Sequence, residues 1–233
     1  MKPYLSAAMI ENNDIRLLTL EIKKGQLATK HYLTDAIDQM NWRYYKSRLS
    51  LLIPCQFVYL QTEISSQPSN LYQDSHIVPM LGSQQINGHE DAIERLTEKL
   101  PLKPRVLEPA PQAWVRCTNY FLPGLPAYAR LAKPATQWTI IFREQHLYIV
   151  LRVTRGVLVS LHSISLLEAI NIEELDSVVM SYLSTEEDDI LKARLFNFSG
   201  LWQNLCSATQ SFAGEASPAL IGAALRGFFP WRG

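Results

Sequence analysis

No catalytic signature is present in this chain of 233 residues. It has no GxSxG elbow, no glycine-rich phosphate loop ending in lysine, and no HExxH pair. His31, His76, His89, His146 and His162 stand without ligand spacing and read as exposed or structurally satisfied side chains. Cys55, Cys117 and Cys206 are far apart and odd in number. That excludes a CxxC zinc or redox motif and a complete disulfide framework, and implies reduced, mostly buried thiols in a reducing compartment.

Net charge is also missing: 22 basic residues cancel 22 acidic ones. Broad electrostatic attachment to nucleic acid or to an anionic membrane is therefore not expected. The single-sign run Glu186 to Asp189 lacks the alternating ligands of a calcium loop and reads as a solvated turn. No segment reaches the roughly 18 consecutive apolar residues of a membrane span, the best candidates being interrupted by Arg152, Arg155 or His162. The N-terminal MKPYLSAAMIENN is too short in apolar residues for a secretory signal and reads as a first strand. The expected location is the cytoplasm, with membrane contact only through a partner.

What the chain does contain is an internal repeat. From Tyr4 to Thr34 three strand-like runs, YLSAAMIE, IRLLTLEI and LATKHYLT, are joined by the short turns NND and KKGQ. From Thr136 the runs TQWTIIFR, HLYIVLRV and VLVSLHSI, joined by EQ and TRG, repeat that rhythm. Between them, Asp35 to Lys46 reads as a short helix, and Arg48 to Pro54 and Gln56 to Ile64 as strands. Residues 65–88 read as an irregular connection or a small inserted subdomain. Asn87 is the expected cap of a helix that ends at Pro101. Arg105 to Glu108 reads as a strand leading into a helix with Pro111 in its first turn and Pro123-Gly124 as its stop.

The second copy is expected to continue with a long helix over Ser163 to Leu183, a strand over Ile190 to Phe198, and a closing helix of small residues, SPALIGAALRGF. The division that follows is a first half over 1–123 with an insertion around 65–100, a linker over 124–135, and a second half over 136–233. Hairpins followed by crossover-linked strands build mixed sheets covered by helices. Two such units give an α/β class of protein, a duplicated actin-like (RNase H-like) arrangement of mixed sheets with flanking helices.

Two segments carry a family resemblance. The closing Ala219 to Phe228, small and apolar and ending in a basic residue and an aromatic, resembles the final helix of the actin-like proteins of type IV pilus assembly, the PilM type and its shortened HofM-type relatives. VLEPAPQAWVRCTNYFLPG resembles the strand and last helix of their first half. ATP-binding members of that family have an acid and glycine at the first phosphate turn, whereas this chain has Glu11-Asn12-Asn13-Asp14. The second turn falls on Phe142-Arg143-Glu144-Gln145, and a glycine pair near the adenosine is reduced to Ser199-Gly200. Without glycine, backbone N–H groups cannot close on a phosphate, and paired carboxylates repel it unless a metal intervenes.

The resemblance therefore implies a non-catalytic adaptor with no cofactor and no metal, at the inner face of the inner membrane. Its degenerate positions would be Glu11, Asp14, Glu144 and Gly200. It would belong to the assembly platform of a type IV pilus, a DNA-uptake (competence) pilus or a related secretion machine. There it would bind the cytoplasmic tail of a PilN-like membrane protein and contact a motor ATPase. Trp42, Tyr44 and Tyr45 beside Phe57 and Tyr59 form the candidate groove for an extended tail, with core packing as the competing role. Phe228, Phe229 and Trp231 form a second candidate surface. Two other functions stay open: an ATPase or kinase of the same fold, working through Glu11 or Asp14 and magnesium, and a GspL-like component of type II secretion.

Overall fold

The computed structural model describes residues 5–61, 75–78, 85–121, 137–144, 147–154, 157–165 and 208–228. The expected linker over 124–135, the helix beyond residue 165, the strand over 190–198, Gly200, Phe229 and Trp231 lie outside the described residues.

Strands β1 (Ser6–Glu11), β2 (Asp14–Lys23) and β3 (Gln26–Ala36) form the first antiparallel meander. Its second turn is Lys24-Gly25, closed by the Lys23 and Gln26 pair. Both residues have positive φ, 52° and 79°, as a type I′ hairpin turn requires. Two further strands, β4 (Leu49–Ile53) and β8 (Val106–Pro109), add in parallel on the other side of β1, giving the order β3-β2-β1-β4-β8. Parallel neighbours need crossovers, and the path from β3 to β4 is made without an α-helix. β3 runs through Ala36, and only a 3₁₀ turn at Trp42–Tyr44 follows. Ile37, Met40, Trp42 and Tyr44 do not keep a 3.6-residue spacing, so no single apolar stripe exists to hold the helix expected there.

After a second 3₁₀ turn at Cys55–Phe57, β5 (Val58–Gln61), β6 (Ser75–Val78) and β7 (Gln85–His89) form a small sheet of order β5-β7-β6. Helix α1 (Glu90–Glu98) follows directly, with His89 at its N-cap position. Asn87, the expected cap, is held in the ladder of β7 opposite Tyr59 and Ile77. Its backbone is extended two residues before the helix begins.

The second meander, β9 (Gln137–Glu144), β10 (Leu147–Thr154) and β11 (Val157–Ser165), forms a three-stranded sheet in the order β11-β10-β9. Alternate residues Ile149, Leu151 and Val153 of β10 are fully buried, the period-two pattern of a strand with one covered face. Ser163 to Ser165, taken as the start of a long helix, belong to β11 because they pair with β10.

Two helices join these parts. α2 (Ala110–Phe121) is buried without a break from Ala110 to Thr118. It contacts β8, β11 and α3 (Pro218–Leu225), so it has no solvent face over that stretch. Ser217 caps α3 by accepting a hydrogen bond from the Leu220 N–H, and Pro218 fills the first helical position. α3 packs on α2 and also on β1, β2 and β4. The closing helix of the chain is thus seated in the core of the first sheet. No helix among the described residues is long and apolar enough to cross a membrane.

The seat of α3 is made by small residues. A Cβ placed on Gly222 would lie 1.7 Å from the Ala113 carbonyl oxygen, and one on Gly227 would lie 2.9 Å from the Leu5 nitrogen. On the sheet below, Ala7 stands beside Ser50, and Leu52 beside Glu108. Glu108 is fully buried, and its carboxylate accepts from Arg116 of α2 at 2.6 Å and from Arg226 at the end of α3. Arg116 also donates to the Gly222 carbonyl at 3.0 Å. One buried carboxylate therefore ties β8, α2 and α3 together.

Candidate functional site

The turn between β1 and β2 stands at the carboxyl end of β1, next to the parallel strand β4, where the chain path reverses from one side of β1 to the other. Such switch points are the usual ligand crevices of open α/β sheets. Glu11 and Asp14 pair across it, leaving Asn12-Asn13 as the turn. Asn12 takes a left-handed φ of 58°, a conformation that asparagine tolerates better than most side chains. Asp14 is exposed.

Two basic residues reach this turn. Arg16 forms an ion pair with the Glu11 carboxylate at 2.7 Å, and Lys99 at the end of α1 donates to the Asn12 carbonyl at 3.2 Å. Basic side chains thus accompany the acidic residues of this turn. Glu11 is neutralised by its own neighbour on the hairpin, and Lys99 is drawn to the peptide carbonyl. The Glu11 and Arg16 pair was within reach of sequence reasoning. A two-residue turn places Met9 opposite Arg16, so Glu11 and Arg16 are diagonal neighbours on one face. Lys99 is 87 positions from Asn12 and carries no comparable signal.

Two depressions open on either side of Lys99. The larger, about 820 Å³, runs between the β1–β2 turn, the end of β3 and the end of α1. Asp38, Trp42, Glu98 and Leu100 are among its lining residues. The smaller, about 310 Å³, lies between β1, the β4–β5 connection and α1, with Phe57, Arg95 and Leu96 in its wall.

The five aromatic residues proposed as one groove are distributed differently. Trp42 lines the larger depression and Phe57 the smaller. Trp42 is fixed by an Nε1–H donated to the Ile37 carbonyl at 2.9 Å and by the edge-on ring of Tyr45, 6.3 Å between centroids. Burial pushes the Tyr45 hydroxyl above its ordinary pKa. Tyr44 on the same 3₁₀ turn is 77% exposed. Tyr59 is in β5 opposite Asn87, and its side chain lies outside the described ones. Short-range spacing placed these residues together; the turn at Trp42–Tyr44 points neighbouring side chains in different directions.

At the second turn, Glu144 ends β9 and pairs with Leu147. Phe142 and Arg143 are in the strand too, so these positions belong to β9 and not to a turn. Among the described residues no group of three His, Cys, Asp or Glu side chains is placed to hold a metal ion.

No protein-family model and no curated protein matches the chain. Several solved structures resemble it. A PilM–PilN type IV pilus biogenesis complex aligns over 97% of this chain and 99% of that one, with a TM-score of 0.56 and 13% identity. A Bacteroides thetaiotaomicron protein of actin-like ATPase fold and unknown function aligns over 91% and 89%, with a TM-score of 0.47 and 10% identity. The ethanolamine utilization protein EutJ of Carboxydothermus hydrogenoformans aligns over 95% and 89%, at 0.43 and 10%. The meanders, the parallel strands beside the first of them and the covering helices give this chain an actin-like α/β fold with a mixed sheet and flanking helices.

Proposed function

We propose that this protein is a non-catalytic adaptor of a type IV pilus or DNA-uptake pilus assembly platform. It acts at the inner face of the inner membrane and binds the short cytoplasmic tail of a PilN-like membrane protein. One observation carries the reading. The two segments that resemble the pilus-assembly family, Val106 to Gly124 and Ala219 to Phe228, are far apart in sequence, but their described residues pack together as one unit through Glu108, Arg116 and Arg226. The fold likeness to a PilM–PilN complex over almost the whole of both chains is in keeping with it.

The non-catalytic part rests on the first turn. Its Glu11 carboxylate is occupied by Arg16, its Asn12 carbonyl by Lys99, and no glycine opens the backbone there. The adaptor then works by holding a tail whose binding differs between arrangements of the two halves, which is sufficient to couple a partner to the platform.

The test is a titration of the purified chain with a fluorescent peptide of the cytoplasmic tail of a PilN-like membrane protein from the same organism. Saturable binding with a Kd of about 10 μM or tighter, roughly 7 kcal/mol, is the expected result. No binding at several hundred micromolar would remove the adaptor reading.

A further inference from the structure

We infer that the larger depression, bounded by Asp38, Trp42 and Glu98, is the seat of a lysine or arginine side chain of the partner's cytoplasmic tail. This rests on the adaptor reading above and adds the chemistry by which the tail is recognised. Three features of the depression agree. It is an open cleft of about 820 Å³, large enough for one long side chain and the backbone on either side of it. Trp42 in its wall is held in place by the Ile37 carbonyl and by Tyr45, so it offers a fixed indole rather than a mobile one. Asp38 and Glu98 stand on separate elements, the segment after β3 and the end of α1, and neither has an ion-pair partner among the described residues.

The cation in the wall, Lys99, is turned toward the Asn12 carbonyl. With Asp38 and Glu98 against Lys99, the lining carries a net single negative charge. An indole beside two carboxylates suits a guanidinium or ammonium, which gains from the ring face and from the carboxylates together. The occupant's chemistry follows from the membrane. Cytoplasmic segments next to a membrane span carry an excess of lysine and arginine, so a tail reaching this cleft brings the complementary charge. Asn13 and Gln39 in the same wall can pair with tail backbone.

The experiment titrates the tail peptide into the wild-type full chain and into Trp42→Ala, Asp38→Asn and Glu98→Gln, each at low and physiological salt. A second peptide carries glutamine at its lysine and arginine positions. The inference expects Trp42→Ala to weaken binding about tenfold or more. Each carboxylate variant should weaken it about threefold to tenfold, with the loss shrinking at higher salt. The neutralised peptide should bind wild type and Asp38→Asn alike. Asp38 and Glu98 are exposed, so their variants fold even if Trp42→Ala does not. Tail binding that is equally tight in all variants overturns the cleft assignment and leaves the adaptor reading standing. No tail binding to the wild type overturns both.

Discussion

Replacing Glu108 by alanine is expected to cost about 3–5 kcal/mol of folding stability, because it strands a buried charge. Arg116 is 3% exposed and Arg226 is partly covered. With the carboxylate gone, two guanidiniums face each other across the end of α3 and the sheet edge. Glu108→Gln keeps the shape but removes the charge, and it should fall between alanine and wild type. The isolated pair is not inherently stabilising; taking three charged groups out of water costs about as much as their attraction returns. Replacing all three together, Glu108→Leu with Arg116→Met and Arg226→Leu, should therefore recover most of the loss. Urea unfolding followed by circular dichroism measures all three variants against wild type. Losses below about 1 kcal/mol for Glu108→Ala would mean that the carboxylate is not the joint between β8, α2 and α3.

Gly222→Ala should destabilise by a similar amount, about 3 kcal/mol or more. Alanine is normally the better helix former by about 1 kcal/mol, so helix propensity alone gives the opposite sign. Contact decides. The added methyl would meet the Ala113 carbonyl oxygen at 1.7 Å and its carbonyl carbon at 2.5 Å. Both are backbone atoms of α2, which cannot rotate away. The helices would have to separate by more than an ångström, losing the packing of Leu220, Ile221 and Ala223 and the bond from Arg116 to the Gly222 carbonyl. Ala113→Gly is predicted not to rescue the variant, since the obstruction is main chain and not the Ala113 methyl. A thermal melt of Gly222→Ala coincident with wild type would contradict the close approach.

These two effects mark what was and was not legible in the sequence. The hairpins were, because alternation and the turns NN and KG are local signals; both meanders have the strands expected. The crossover strand before α2 and the capped closing helix were also readable, from Pro111 and Ser217-Pro218. The stretch after Thr34 forms no α-helix because its apolar residues do not keep a helical period. The cap of α1 moved because pairing of Asn87 within β7 competes with capping and wins.

The buried carboxylate was not legible. Glu108 lies in a strand too short to reveal a covered face, and its partner Arg226 is 118 positions away. An acid within VLEPAPQAW, followed eight residues later by the one charged residue of the next helix, Arg116, was the available hint. At the candidate site, the aromatic cluster around Trp42 is legible in the sequence, but the meeting of Asp38 with Glu98 is not. They come together only because the end of β3 and the end of α1 meet above the β1–β2 turn.

The central claim is that this actin-like fold works as an adaptor without nucleotide. Titration calorimetry of the full chain with magnesium ATP, followed in the same cell by the tail peptide, tests it most directly. The account predicts no saturable heat up to millimolar ATP and an unchanged tail isotherm afterwards. A magnesium-dependent ATP isotherm, abolished by Asp14→Asn, would contradict it and make the β1–β2 turn a phosphate site.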